Sequence, residues 1–316
     1  MSTKKEKFDE SIKVKFTDFK EPEECFPGIY ANNEKKDYGR YLKQYKNHFY
    51  CTYFSESFEK SFIPQINDLL PESYQGNEIS SGKFFSVASS SRFTIASFSK
   101  KQNGKYIKVY DVSDTTNRAI DFEYPCEIKE MPEGLTAPQL DAHFIRDNEE
   151  WFIEAKCHEI FDYHKPLYLK STYREVLLKL FPDLQLSKLS IEIDSTEEKD
   201  KEKKDKFLAV EDNGVRRLLQ SDDFKINRKT THFDFKQFIC HLLGIISKRD
   251  SSKKTVFAYL FYHNTDKEFE KTYQQLQEEI EEIQTVFKPI FDANKIEFGY
   301  LYNDHFSTIK KLELKK

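Results

Sequence analysis

The chain lacks the excess of positive charge that would let it hold a polyanion by bulk attraction. Its 50 basic residues face 54 acidic ones, for a net charge of −4. Proteins that grip nucleic acid by overall charge are basic, so any such contact here must come from a local basic groove or from metal ions. Cysteine is sparse and unpaired. Cys25, Cys51, Cys126, Cys157 and Cys240 are odd in number, widely separated and without a Cys-x-x-Cys spacing. That argues against a disulfide framework and against a zinc ribbon, and it suits a reducing cytoplasm. No apolar run approaches the ~18 residues of a spanning helix. The opening MSTKKEKFDESIK is polar and charged, so neither a membrane segment nor a secretory signal is expected. Tryptophan occurs once, at Trp151. Sugar sites usually carry several, which counts against a glycosidase built on paired carboxylates.

What is present is a globular composition, 38% hydrophobic and 33% charged over 316 residues, with 29 Phe and 18 Tyr as core material. Residues 1–50 read as an N-terminal extension that partly packs on the body, and 51–316 as the main domain. Phe54, Phe58, Phe62, Ile66 and Leu69 mark an amphipathic helix that Pro64 kinks or divides. Ser89, Ser90 and Ser91 ahead of RFTIASF form a helix N-cap signal. KYIKVYDV and AIDFEYPCEI alternate as strands. STYREVLLKLFPDL reads as a helix. The run EEKDKEKKDK at 197–206 reads as a solvated insert, the core of a charged stretch near 190–214. FDFKQFICHLLGIISK is a striped helix, TVFAYLFY a strand covered on both faces, DKEFEKTYQQLQEEIEEIQTVFK a long helix stopped by Pro289, and KIEFGYLY a last strand. The fold class is α/β, a mixed central sheet flanked by helices.

The stretch LDAHFIRDNEEWFIEAKCHE, residues 140–159, reads as a β-hairpin. A turn centred on Asn148 and Glu149 sets Asp141 opposite Lys156 and His143 opposite Glu154. Opposed residues share a face, so one face carries Asp141, His143, Glu154, Lys156 and His158. Leu140, Ala142, Phe144, Trp151, Ile153, Ala155 and Cys157 fall on the other and pack inward. Two carboxylates this close repel unless a cation sits between them. Hard oxygen ligands suit Mg²⁺ or Mn²⁺, and a lysine beside such an ion can position water and offset phosphate charge. Lys156 leaves the polar face, so its removal is expected to disturb little packing. The competing reading is a routine Asp–Lys surface pair.

Pro138 to Asp141 (PQLD) followed by Glu154 to Lys156 (EAK) resembles the PD-(D/E)XK nuclease superfamily, with its restriction-endonuclease-like fold. SSSRFTIASF, Glu159, HKP at 164–166, STYRE at 171–175 and KQFICHLLGI at 236–245 are similar to bacterial members, over roughly residues 76–302. PQLD departs from the simplest motif, in which Pro adjoins Asp. The resemblance implies Asp141 and Glu154 as metal ligands and Lys156 as the catalytic lysine. It also implies a further acidic ligand from an upstream segment, here Glu78, with Glu59 and Glu56 behind it. Gln237 sits where several relatives place a Gln near the site, although a polar helix position is an equal reading. His143 and Glu159 are supporting candidates; Arg92 and Lys236 are phosphate-contact candidates or solvated side chains. Cys157 faces away from His158, which argues against a zinc pair. His241 reads as a core histidine. The expected activity is Mg²⁺- or Mn²⁺-dependent endonucleolytic cleavage of DNA in the cytoplasm, in a restriction or defence role, and cutting both strands would favour a homodimer. The alternative is a non-catalytic nucleic-acid-binding or scaffold protein that keeps the fold. Metal dependence of cleavage separates the two.

Overall fold

A computed structural model describes residues 3–13, 19–20, 51–52, 88–103, 105–129, 137–162, 232–305 and 307–316. The helices expected at 54–69 and 171–184, the charged run 197–206, and Glu56, Glu59 and Glu78 lie outside the described residues. In chain order the elements are α1 (Lys4–Lys13), the short antiparallel pair β1 (Phe19–Lys20) and β2 (Cys51–Thr52), α2 (Ser90–Ser97), and the hairpin β3 (Ser99–Gln102) and β4 (Lys105–Lys108). Then follow β5 (Ile120–Pro125), β6 (Gln139–Arg146), β7 (Glu149–Lys156), a 3₁₀ turn at His158–Phe161, α3 (Phe235–Lys248), β8 (Lys254–Tyr262), α4 (Lys267–Val286), α5 (Lys288–Ala293) and β9 (Ile296–Asn303).

Five strands make one mixed sheet in the order β5-β6-β7-β8-β9. β5, β6 and β7 are mutually antiparallel, whereas β7, β8 and β9 run parallel. Parallel neighbours need long crossovers; α3 lies in the first and α4 with α5 in the second. β8 therefore sits inside the sheet and is buried on both sides. Phe257 stacks on Phe238 of α3 at 5.8 Å, and Tyr262 meets Phe93 of α2 at 5.5 Å and Phe8 of α1 at 5.7 Å. The result is three layers, with α1 and α2 on one sheet face and α3 and α5 on the other.

Local chemistry sets the helix ends. Ser89 caps α2, its hydroxyl accepting from Arg92 N at 3.2 Å, and Asp234 caps α3 through Gln237 N at 3.0 Å. α4 ends at Val286, and Pro289 does more than stop it, because it lies in the first turn of α5. α1 docks through Phe8 against Phe161 and Phe269, through Asp9 on His158 and through Lys5 on Asp162.

α3 closes onto the sheet because Gly244 has no side chain. A Cβ there would lie 2.7 Å from both the Cβ and the carbonyl oxygen of Cys126. Gly244→Ala is therefore expected to destabilise the protein by about 1–3 kcal/mol, the usual cost of overpacking, despite alanine's higher helix propensity. Thermal melts check this, and an unchanged or raised Tm would contradict the close approach.

Candidate active site

The turn between β6 and β7 is Asp147–Asn148, one residue earlier than the alternation alone suggested. Asp147 takes the left-handed conformation (φ 55°), which Asp tolerates better than most residues. The ladder pairs Ala142 with Ile153, His143 with Phe152 and Phe144 with Trp151. One further step sets Asp141 across from Glu154, not Lys156, and His143 faces Phe152, not Glu154. Faces are unchanged, because the two registers have the same parity. Asp141, Glu154 and Lys156 share one sheet side, and Ala142, Phe144, Trp151 and Ile153 are buried behind it.

That polar side is not a solvent face. It continues through Phe152, Phe257 and Phe298 as a hydrophobic layer under α3, and the charged residues form its polar end. Glu154 is 3% exposed and Asp141 9% exposed. The Lys156 side chain is 14% exposed, and its ammonium donates to Glu154 Oε1 at 2.5 Å. Lys156 is thus a partly buried partner and not the surface chain its position suggested. Gln237 of α3 donates to the same Glu154 oxygen at 2.8 Å. Ala155 N donates to Asp141 Oδ2 at 2.7 Å.

Charge balance at this end is uneven. Burial pushes the Asp141 carboxyl well above the usual carboxylate range, and Glu154 and Glu123 push it the same way. Lys156 and the Ala155 N–H offset this only in part. For Lys156, burial alone would favour loss of the proton, but Glu154, Glu159 and Asp141 outweigh it and hold the pKa above that of an ordinary lysine. The ammonium is therefore a donor and not a base.

The remaining candidates divide. Gln237 reaches the site. Glu159 stands at its margin, where its carboxylate accepts from Cys157 N at 2.7 Å and lines a small pocket with Lys156. His143 is on the right face, but its partners are Glu150, at 3.1 Å, and Tyr124, which stacks on it at 3.9 Å. His158 is turned to Asp9 of α1 at 2.8 Å. Arg92 is buried in α2 near Cys157, while Lys236 is exposed. The Cys157 thiol points to Ser89 O, away from any shared metal with His158. Glu78 lies outside the described residues.

Three residues join the group that the sequence did not mark. His241 brings Nδ1 to 3.5 Å from Glu154 Oε2, too poorly placed for a hydrogen bond, and burial lowers its pKa so that the neutral imidazole is favoured. Its spacing of i, i+4 from Gln237 on one helix face was the available signal. Glu123 of β5 lies abreast of Asp141, between the pairs Phe122–Ala142 and Tyr124–Leu140. Its φ of 54° is rare in a strand and costs about 1–3 kcal/mol. Beyond this kink Tyr124 reaches His143, on the side that strict alternation would deny it. Tyr259 of β8 is paired with Glu154 across the parallel ladder.

Among the described residues no group of three or more His, Cys, Asp and Glu side chains is placed to hold a metal ion, so Asp141 and Glu154 stand as a pair. Among the same residues no helix is long and apolar enough to cross a membrane. No family model, curated protein or solved structure matches the chain.

Proposed function

We propose that the chain is a metal-dependent nuclease that hydrolyses phosphodiester bonds of DNA, an endonuclease of restriction or defence type on a PD-(D/E)XK, restriction-endonuclease-like core. The observation that carries this reading is the meeting of two buried carboxylates and one partly buried ammonium on a single sheet face, at the C-terminal end of β7. Ligands favour that end of parallel strands. A buried carboxylate pair with one cationic partner among the described residues has room in its charge balance for a dication. Mg²⁺ or Mn²⁺ fits this oxygen donor set, since Mg²⁺ is commonly bound by one or two carboxylates and keeps several waters. Asp141 and Glu154 would hold it, and when bound it supplies positive charge at a phosphate and lowers the pKa of water. One oxygen of each carboxylate is already taken, by Ala155 N in Asp141 and by Lys156 and Gln237 in Glu154. Those bonds fix the orientation of both groups. Lys156, held protonated, donates to a phosphate oxygen as negative charge grows there. Gln237 and the body of α3 keep Glu154 from rotating and exclude water from behind it. A homodimer would present two such sheet ends to a duplex.

The test is incubation with supercoiled plasmid and with single- and double-stranded oligonucleotides, in Mg²⁺, in Mn²⁺ and in excess chelator. Cleavage is expected with either metal and not in chelator. Cleavage in chelator, or none with both metals, would overturn the reading.

A further inference from the structure

We infer that the Tyr259 hydroxyl holds a water molecule against Lys156, which makes Tyr259 a positioning residue of the site. Tyr259 sits beside Glu154 on the same sheet face, and its ring is locked by Phe233 at 4.7 Å and Phe257 at 5.5 Å. It is 1% exposed, yet its hydroxyl has no hydrogen-bond partner among the described residues. A buried hydroxyl left unmatched is costly, and polar pockets of this kind are where water is retained. Tyr259 lines a small pocket whose other polar residues are Lys156, Glu159, Asp234 and His232, the last already bonded to Ile160 O and Gln275, with room for about one water.

The chemistry of the lining chooses the occupant. Glu159 and Asp234 disfavour a phosphate oxygen, and a space for about one water cannot hold a divalent ion with the several waters it keeps, which leaves a neutral molecule. A phenol O–H can give one hydrogen bond and its oxygen can accept another. Lys156 has three N–H donors and Glu154 takes one. A water fixed by Tyr259 takes a second, which leaves the third aimed at substrate. The role of that third donor rests on the nuclease reading above.

Tyr259→Phe removes the hydroxyl and keeps the ring. With wild-type protein cleaving DNA in Mg²⁺, the variant is expected to lose about 10- to 100-fold in kcat, the scale for groups that orient a catalytic residue. KM for DNA, Mg²⁺ affinity by calorimetry and Tm should be unchanged. A kcat equal to wild type would overturn the inference and leave the nuclease reading standing. A lower kcat accompanied by a Tm several degrees lower would make Tyr259 a packing residue and also overturn it. If wild type cuts no DNA with either metal, the nuclease reading fails first and the inference falls with it.

Discussion

Lys156→Met is expected to cut DNA cleavage by about 10²- to 10⁴-fold and to lower stability as well. The methionine keeps most of the apolar stem, so what disappears is the ammonium. Glu154, 3% exposed, is then left as a buried carboxylate with Gln237 as its remaining hydrogen-bond donor. Removing one partner of a buried ion pair typically costs about 3–5 kcal/mol, far more than the ~0–1 kcal/mol of a surface pair. The double variant Glu154→Gln/Lys156→Met removes both charges and should recover much of the lost stability while staying inactive. Gel cleavage and thermal melts on the three proteins check this. Full activity in Lys156→Met would remove the lysine from the mechanism. An unchanged Tm would mean that Glu154 does not depend on it.

Asp141→Asn should separate function from stability. It is expected to abolish metal-dependent cleavage and Mg²⁺-induced stabilisation, and yet to raise the Tm of metal-free protein at neutral pH. Burial and the Glu154 and Glu123 carboxylates hold the Asp141 pKa above its unfolded value. For a group raised on folding, the stability it contributes is complete below the unfolded pKa, about 4 for Asp, and is lost as pH rises through the folded pKa. Metal-free wild type should therefore weaken as pH climbs from about 4 towards neutrality, and the Asn variant should show a flatter profile. The amide oxygen can still accept from Ala155 N, so the local backbone is retained. In wild type, a cation that binds only the folded state adds about 2.7 kcal/mol at 100 times its Kd. Melts in chelator from pH 4 to 8, repeated with Mg²⁺, test both parts. An Asn variant less stable than wild type across that range would refute the like-charge argument.

How much of this was legible in the sequence depended on distance along the chain. The faces of the hairpin were readable because apolar and polar residues alternate over Leu140–Phe144 and over Ile153–Lys156, and an error of one residue in the turn preserves parity. The pairs themselves were not readable, since they hang on Asp147 adopting a positive φ that Asn148 or Glu149 could have been thought to serve. Burial was misjudged at Lys156 because a polar face is not thereby a wet one: Phe152 shares it, and α3 covers it. Gln237 was placed near the site by resemblance alone. Glu123 and Tyr259 could not have been named, since each reaches the site only through strand order and register, which no local pattern encodes.

β7 is the one strand at which the sheet changes from antiparallel to parallel pairing, bonded to β6 on one side and to β8 on the other. A single inserted or deleted residue within it would invert its faces against two neighbours at once, and no edge is free to absorb the slip. Descendants of this gene can thus exchange residues along Glu149–Lys156 more readily than they can alter its length. Insertions and deletions should collect in the connections between strands, and the spacing of Glu154 to Lys156 should outlast the identity of almost everything around it.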